Sequence, residues 1–316
     1  MKVIEHLEKD TKPIFSFEII PPQRGKSVQE IIDIVKQLQP YNPQFIDVTS
    51  HSAEANYEDL NDGNVHRRIR RKRPGTISIC GIIQNRFKID TVAHLLCRGF
   101  TREETEDALI ELNYLGIQNV LAIRGDEVNY QKKVSNDRTT NDYAVDLVHQ
   151  VMDLKKSKYL DKVINPDPIE MCVGVGGYPE KHFEAPNLKT DIQYLKQKVD
   201  AGADYIVTQM FFENDVFFQF VKKCRDAGIT VPIIPGVKIL DKTRQLSFIP
   251  KNFYVNIPEA LVEEVTESPK HVREVGINWG IQQCEGLLNS GIEYIHFYIM
   301  NDAIAITEVL DKLKVL

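Results

Sequence analysis

In this sequence of 316 residues, the residue that suggests chemistry most directly is a glutamate with apolar neighbours, Glu18. Glu18 follows Phe17 and precedes the apolar segment 19–22, so no neighbouring cation would balance its charge. Burial raises the pKa of a carboxyl group, and a glutamic acid that is protonated near neutral pH is a suitable general acid. The same pattern is equally compatible with a glutamate that pairs with an arginine inside the fold.

Further polar residues lie within or beside apolar segments, and each has a plain structural interpretation. In Arg124-Gly125-Asp126, the glycine lets the backbone approach a ligand, and the flanking charges can bind a phosphate and the polar edge of a ring. His94, inside an apolar run, is typical of a satisfied core histidine. Gln209 precedes three apolar residues that suit a core, and Lys198 is typical of a surface lysine. Taken singly, these residues identify no reaction.

The elements that would position these side chains follow a strand-helix rhythm. A glycine that ends a helical pattern and precedes an apolar run recurs at Gly116, Gly202, Gly228 and Gly291. Glycine tolerates the left-handed conformation that ends many helices, so each site predicts a helix end followed by a strand. Ser27 and Thr101 each stand three residues before a glutamate, which is the pattern of a capping box at a helix start.

Short, almost continuously apolar runs lie between these helices, as is typical of parallel strands that are buried on both faces. They predict a single-domain α/β fold, a closed (β/α)8 TIM barrel over residues 1–316. A doubly wound sheet would usually carry a Gly-x-Gly-x-x-Gly turn after its first strand, which residues 20–25 lack. The eight predicted strands are Ile14–Ile20, Phe45–His51, Thr91–Cys97, Asn119–Arg124, Glu170–Val175, Tyr205–Phe212, Pro232–Val237 and Tyr294–Met300.

The barrel prediction groups the polar residues. Active sites of such barrels lie at the carboxyl ends of the strands. Glu18, the segment 49–51, the segment 124–126, Thr208-Gln209 and Asn301-Asp302 all fall at or near predicted strand ends. We therefore expect them to share one face of the fold.

Composition excludes several other classes of protein. With 39 Lys and Arg against 45 Asp and Glu, the net charge of −6 argues against a nucleic-acid partner. The basic run at 66–73 is the exception, and we interpret it as a solvated helix face or a local anion contact.

No apolar stretch approaches a membrane span and no signal peptide begins the chain, which predicts a cytoplasmic protein. Five widely spaced cysteines predict buried fillers and no metal site.

Taken together, the motifs resemble the methylenetetrahydrofolate reductase family along nearly the whole chain and in the family's order. Pro235-Gly236 and His296-Phe297-Tyr298 extend the likeness almost to the C-terminus. The other motifs are FSFEIIPP at 15–22, FIDVT at 45–49, LAIRGD at 121–126, GYPEKH at 177–182, KVDAGAD at 198–204 and TQMFF at 208–212.

The resemblance implies an FAD-dependent barrel that reduces 5,10-methylenetetrahydrofolate to 5-methyltetrahydrofolate. Its hydride donor would be NADH or NADPH, and the nucleotide and the folate would use one site in turn. Glu18 would be the acid that opens the five-membered ring of the folate, and Asp126 would lie beside flavin and pterin. Gln209 would contact nucleotide and folate alternately, and Gln245 would contact folate. The flavin-binding positions would be Thr49, Ser50, His94, Arg124, Gly125, Asp126, Tyr143, Ala144, Tyr178, His182, Ala185, Asp191 and Lys198.

Some positions depart from the family pattern. Gln197 replaces an arginine just before Lys198, so a cation near the cofactor is missing, and the basic run at 67–73 is a candidate to compensate. Tyr194 replaces an asparagine. Ile239 departs from the family's proline. Asp302 replaces an arginine near the folate's glutamate tail, which should weaken folate binding unless Lys238 or Arg244 takes over.

Alternatives and further implications remain at this stage. One alternative is a relative whose flavin is reduced by a protein partner; another is a barrel that binds flavin or folate without catalysis. An aldolase with a lysine Schiff base is less favoured, because no lysine stands at a predicted strand end inside the barrel. The resemblance also implies a homo-oligomer. Since the chain ends about one helix after the eighth predicted strand, we expect no C-terminal regulatory domain that binds S-adenosylmethionine.

Overall fold

A computed structural model describes residues 1–9, 13–60, 63–126, 130–300 and 302–313 of the chain. Its strands are β1 Ile14–Ile19, β2 Phe45–Val48, β3 Ala53–Asp59, β4 Val65–Arg71, β5 Asp90–Leu96, β6 Asn119–Ile123, β7 Cys172–Gly177, β8 Tyr205–Met210, β9 Ile233–Val237 and β10 Tyr294–Met300. Its α-helices are α1 Val3–Leu7, α2 Gln29–Leu38, α3 Thr76–Ile82, α4 Arg102–Tyr114, α5 Ala144–Leu154, α6 Leu188–Asp200, α7 Asn214–Asp226, α8 Gln245–Phe253, α9 Glu259–Glu267, α10 Val272–Asn289 and α11 Ile304–Lys312.

Eight of these strands close a parallel barrel in the order β1-β10-β9-β8-β7-β6-β5-β2. This confirms the predicted (β/α)8 architecture, and each predicted strand overlaps an observed one. The largest difference is at the carboxyl end of β2, which stops at Val48 instead of His51; β8 stops at Met210 instead of Phe212, and β7 begins and ends two residues later than predicted. Residues 49–51, beyond β2, lie at the mouth of the barrel, whereas Phe211 and Phe212, beyond β8, are buried in apolar clusters. Asn301 lies outside the described residues.

Two apolar layers hold the barrel. The larger packs the outward faces of the strands against the surrounding helices, with residues such as Ile46, Val120 and Phe220 buried there. A smaller cluster fills the interior near the amino ends of the strands, where α1 packs through its apolar side chains. That interior cluster comprises Val3, Leu7, Phe45, Val92, Leu121, Cys172, Tyr205, Val207 and Ile234. Because this cluster fills the interior near the amino ends of the strands, the carboxyl ends are left for polar residues.

The predicted helix boundaries are correct in most places. The Oγ1 atom of Thr101 accepts the N–H of Glu104 at 3.2 Å, and the Glu104 carboxylate accepts the N–H of Thr101 at 2.9 Å, which confirms the capping box. The box predicted at Ser27 is wrong: α2 begins one residue later, with Val28 at its N-cap, and Ser27 Oγ accepts the N–H of Gln29. The four helix-ending glycines, at 116, 202, 228 and 291, all have positive φ.

The basic run is not a helix face, so the first of its two interpretations is wrong. It lies in β4, which pairs antiparallel with β3 to form a hairpin between β2 and α3. The base of the hairpin is tied to the loop after β1, because the N–H of Arg24 donates to the Lys72 carbonyl at 2.8 Å and Arg73 Nη1 donates to the Pro21 carbonyl at 2.6 Å. Asp62-Gly63, a common hairpin turn, was the sequence signal for this unit.

The remaining structural expectations concern cysteines and membrane spans. All five cysteines are buried and form no disulfide, which confirms them as fillers. Within the described ranges, no helix combines the length and the apolar character needed to cross a bilayer.

Candidate functional site

The mouth of the barrel carries its candidate acid and its candidate amide at two irregular points of the sheet. The register of β1 against β10 shifts between Glu18 and Ile19. The register of β8 against β9 shifts between Val207 and Met210, which brackets Gln209. Such irregularities re-aim side chains and are frequent beside active sites. Both side chains are therefore placed by a local break in a ladder that is otherwise regular.

Glu18 is the acid that the sequence suggested. Its side chain is 12% exposed, and its ion-pair partner is His94, with Nε2 3.7 Å from Oε2, not an arginine. Burial raises the pKa of Glu18 to about 7, and the charge of His94 offsets only part of that rise. At neutral pH a large fraction of this carboxyl group is protonated, as general acid catalysis requires.

A buried polar layer lies next to Glu18 inside the barrel. His94 on β5 also faces Asp47 on β2, with Nε2 3.4 Å from Oδ2. On the other side of Asp47, His296 on β10 has its Nδ1 3.8 Å from Oδ1 and 2.9 Å from the Oγ of Ser16. Asp47, His94 and His296 are each at most 3% exposed. We did not single out Asp47 or His296 from the sequence, although a charged residue between the apolar residues of a buried strand was a signal for Asp47.

The segment after β2 offers polar atoms that lack partners. Thr49 Oγ1 and His51 Nδ1 are buried without a hydrogen bond among the described residues. Buried polar atoms are nearly always bonded, so such exceptions mark a place where a ligand could bind. Thr49 itself is fixed through its backbone, since its N–H donates to the Ile19 carbonyl and its carbonyl accepts Thr76 Oγ1. Ser50 stands between them and is partly buried.

The residues after β6 form a second part of the mouth. Gly125 has φ of +88°, a conformation that glycine adopts readily, and it turns the chain directly after Arg124. The Arg124 guanidinium lies over the ring of Tyr143, 4.7 Å from its centroid, and pairs with Glu184. Asp126 is exposed, and Ala144 begins α5 beside Tyr143. Arg124 is therefore held by protein groups, with its charge partly balanced by Glu184.

The end of β7 and helix α6 form a third part. Lys198 Nζ donates to the Gly176 carbonyl at 2.7 Å, and burial lowers the pKa of Lys198 to about 8. Asp191 accepts the N–H of His182 at 2.8 Å. The His182 ring lies edge-on to the Tyr178 ring, with 4.6 Å between the ring centroids. Ala185, three residues after His182, is buried. Lys198 is thus not an ordinary surface lysine, whereas Gln197 and Tyr194 are exposed.

A cavity of about 340 Å³ opens on the other side of the mouth, between β8, β9, β10, the end of β1 and α8. Lys238, directly after β9, lines it and donates from Nζ to the Tyr298 carbonyl at 2.8 Å. The sequence-based statement that no lysine stands at a strand end inside the barrel was wrong, because Lys238 lies one residue past the predicted strand. Gln245 also lines the cavity; its Oε1 accepts the N–H groups of Asp241 and Lys242, each at 2.8 Å.

The predicted residues divide into two arcs of the barrel. The first arc consists of β2, β5, β6 and β7, and it carries all the predicted flavin positions, together with α5 and α6. The second arc consists of β8, β9, β10 and β1, and it surrounds the cavity. Glu18 on β1 and Gln209 on β8 stand at the two borders between the arcs. Gln245 lies in the second arc, apart from the flavin positions.

Metal binding has no candidate here. Within the parts of the chain that the structure describes, no group of three or more His, Cys, Asp or Glu residues could hold a metal ion.

Comparisons with known proteins bear on this site. A family model described as methylenetetrahydrofolate reductase matches residues 2–314. A protein of Oryza sativa subsp. japonica named probable methylenetetrahydrofolate reductase (NADH) is 32% identical over 95% of this chain and 48% of its own length. A 5,10-methylenetetrahydrofolate reductase of Buchnera aphidicola is 31% identical over 94% of this chain and 91% of its own length. The chain thus spans about half the length of the plant and fungal relatives that it matches.

A solved structure shares the fold. It is described as an uncharacterized protein from Clostridium thermocellum that binds two copies of 5-methyl-5,6,7,8-tetrahydrofolic acid, and it covers 99% of this chain with a TM-score of 0.60. The alignment covers 98% of that protein, at 13% identity. At this identity the likeness shows the barrel fold alone.

Proposed function

Since the chain belongs to the methylenetetrahydrofolate reductase family, we propose that it reduces 5,10-methylenetetrahydrofolate to 5-methyltetrahydrofolate with NADH or NADPH as the hydride donor. The observation that carries the proposal is Glu18, a buried acid with a pKa of about 7 at the border between the two arcs. Relatives of the chain are named for NADH or for NADPH, which supports a nicotinamide nucleotide as the donor.

FAD is the cofactor that fits the first arc. Thr49 Oγ1 and His51 Nδ1 are buried polar atoms that lack partners among the described residues, and Lys198 is a half-buried cation within reach of the same mouth. When bound, FAD supplies a two-electron carrier that accepts a hydride from one substrate and passes it to the other. The predicted positions on β2, β5, β6, β7, α5 and α6 would hold it, with Arg124 and Lys198 as the cations that suit its phosphates.

Folate would occupy the second arc and would meet the cofactor at the border. Glu18 would donate its proton to the ring nitrogen that leaves when the five-membered ring opens. The electrons of the breaking C–N bond stay on that nitrogen, and the lone pair of the other nitrogen forms the iminium. Gln209, whose amide can both donate and accept, suits two substrates that use one site in turn. Asp126, at the end of β6, would contact the pterin.

A protein electron donor and a non-catalytic barrel are the competing functions. A binding barrel has no need for a buried acid at a border with a cofactor arc, so Glu18 favours catalysis. If a protein partner reduces the flavin, neither NADH nor NADPH alone should bleach it, and this difference separates the two alternatives.

The test is to mix the purified, FAD-loaded protein anaerobically with NADH and with NADPH and to follow the flavin absorbance. We expect one nucleotide to bleach the oxidised flavin band and 5,10-methylenetetrahydrofolate to restore it. A protein that binds FAD but is bleached by neither nucleotide would favour the protein donor. A protein that is bleached but not restored by folate would contradict the proposed substrate.

Lys238 is the cation that we propose for the glutamate tail of folate, in place of the arginine that Asp302 replaces. It is the lysine whose Nζ is held inside the cavity, whereas Lys242 on the same rim is half exposed and pairs with Asp241 at 3.4 Å. Lys238→Met is expected to raise the KM for folate about tenfold, since a charge-assisted hydrogen bond contributes ~1.5–3 kcal/mol. Lys242→Met is the control; equal KM values for both variants would contradict the assignment.

A further inference from the structure

One nitrogen of His94 faces two carboxylates. Its Nε2 is 3.4 Å from Asp47 Oδ2 and 3.7 Å from Glu18 Oε2. The three side chains stand on β5, β2 and β1, which are consecutive in the barrel, and Glu18 and Asp47 are register partners. None of them is more than 12% exposed. An imidazole in this position is confined between two acids and is shielded from water.

Asp47 and Glu18 both favour the charged form of the His94 imidazole, and Asp47 also accepts its hydrogen bond. Burial lowers the pKa of His94, but the hydrogen bond to Asp47 and the charges of both carboxylates outweigh it, so the pKa of His94 is raised overall. His296 on the other side of Asp47 is the contrast: burial lowers its pKa to about 4, and its Nδ1 is engaged with Ser16 Oγ at 2.9 Å. Asp47 therefore favours the charged form of one of its two neighbouring histidines, and that one is the neighbour of Glu18.

We propose that Asp47 is a positioning residue for the acid: it holds the His94 imidazolium beside Glu18, where the cation stabilises the carboxylate left after proton donation. The proposal rests on the proposed function for its kinetic consequence but not for the geometry of the pair. After Glu18 has given its proton to the leaving nitrogen of the folate, the cluster holds two carboxylates and one imidazolium. Glu18 then recovers its proton from solvent, so the cluster returns to its starting charge.

Other charged groups also face Glu18. Lys238 from the loop after β9 lowers its pKa, and Asp126 from the end of β6 raises it. Tyr298 on β10 is neutral, because burial raises its pKa well above the ordinary value. His51 lies near Asp126, and burial lowers its pKa. Asp47 also acts on Glu18 directly, because its charge raises the pKa of Glu18, although by less than the charge of His94 lowers it. A change at Asp47 therefore has two opposed effects on Glu18, and the larger one acts through His94.

Asp47→Asn is the variant that separates this role from a purely structural one. It keeps the shape of the side chain but removes the charge that holds the proton on His94, so burial should leave the imidazole neutral. Glu18 then loses its cation, and its conjugate base is less stable. In the folate half-reaction we expect the alkaline limb of the pH profile to move to higher pH by a fraction of a unit, because removing the Asp47 charge offsets part of the loss of the His94 charge, and we expect the maximal rate to fall severalfold. Flavin reduction by the nucleotide should be unchanged.

His296→Gln is the matched control, since it alters the other side of Asp47 in the same buried layer and leaves the His94 contact in place. We expect its alkaline limb to match that of the unmodified protein. His94→Gln removes the cation directly and must move the alkaline limb of the pH profile in the same direction as Asp47→Asn. It therefore tests the proposal even if Asp47→Asn does not fold. An unmoved limb in both would overturn the proposal.

Nitrogen NMR of the flavin-free protein labelled at histidine gives a readout that does not depend on activity. At pH 7 the His94 ring should show an imidazolium in the unmodified protein and a neutral ring in Asp47→Asn. A His94 ring that stays charged in the variant, or is neutral in both proteins, would contradict the role of Asp47. If the protein reduced no folate at all, the proposed function would fail, while the NMR result would still decide on the Asp47–His94 pair.

Discussion

Glu18→Gln is expected to leave flavin reduction by NADH or NADPH close to its normal rate and to slow flavin reoxidation by 5,10-methylenetetrahydrofolate by roughly 100- to 10,000-fold. Only the second half-reaction needs a proton at the leaving nitrogen, and a glutamine amide cannot supply it. The measurement is single-turnover absorbance of the flavin in each half-reaction. Folate reduction at the normal rate would show that another group is the acid.

We expect the same variant to be more stable than the unmodified protein, so that a loss of folate reduction could not be attributed to misfolding. The pKa of Glu18 is about 7 when folded against an ordinary value of 4.5. Between those values the folded chain keeps a proton that the unfolded chain has released, so stability decreases as pH rises through this range. Glutamine lacks this dependence. Relative to the unmodified protein, Glu18→Gln should therefore gain roughly 2–3 kcal/mol in free energy of unfolding between pH 5 and pH 8.

Lys198→Met is expected to weaken FAD binding about 10- to 100-fold at pH 7, because a hydrogen bond to a charged group contributes ~1.5–3 kcal/mol. The Lys198 ammonium is held at the Gly176 carbonyl, and the residue directly before it is Gln197, which carries no charge to share the role. Titration of the flavin-free protein with FAD, followed by flavin fluorescence, gives the dissociation constants.

The pH dependence of FAD binding provides a second measure of the same cation. Because burial lowers the pKa of Lys198 to about 8, the flavin-free protein loses this positive charge as pH rises above that value. The affinity of the unmodified protein should decrease between pH 7 and pH 9, and the affinity of Lys198→Met should change less. Lys196→Met, which removes a lysine paired with Asp200 on the same helix, is the control. Equal losses in both variants would contradict a specific role for Lys198.

The barrel was predictable from sequence because its strands are buried on both faces and therefore form apolar runs between glycine-terminated helices. Glu18 was predictable for a related reason: an acid among apolar neighbours has an unusual pKa wherever the chain buries it. That expectation holds, and the partner is His94 instead of an arginine.

The residues that escaped prediction depend on contacts between distant segments. Lys238 looks like a solvated lysine after a strand, and only the packing of β9 against β10 brings its Nζ to the Tyr298 carbonyl. Asp47 gains its significance from His94, 47 positions away in the chain. The basic run was misassigned because a charged strand in an exposed hairpin has no apolar alternation to reveal it.

The position of Glu18 and Gln209 between the two arcs has a consequence for how this barrel can diversify. Substitutions around the cavity, such as Asp302, lie among different strands from those around Lys198, such as Gln197. Under the proposed function, substitutions on one side of the mouth could therefore change folate binding while flavin binding on the other side is retained. Under the proposed function, Glu18, Gln209 and Asp126 would each meet more than one ligand and would be constrained by all of them at once.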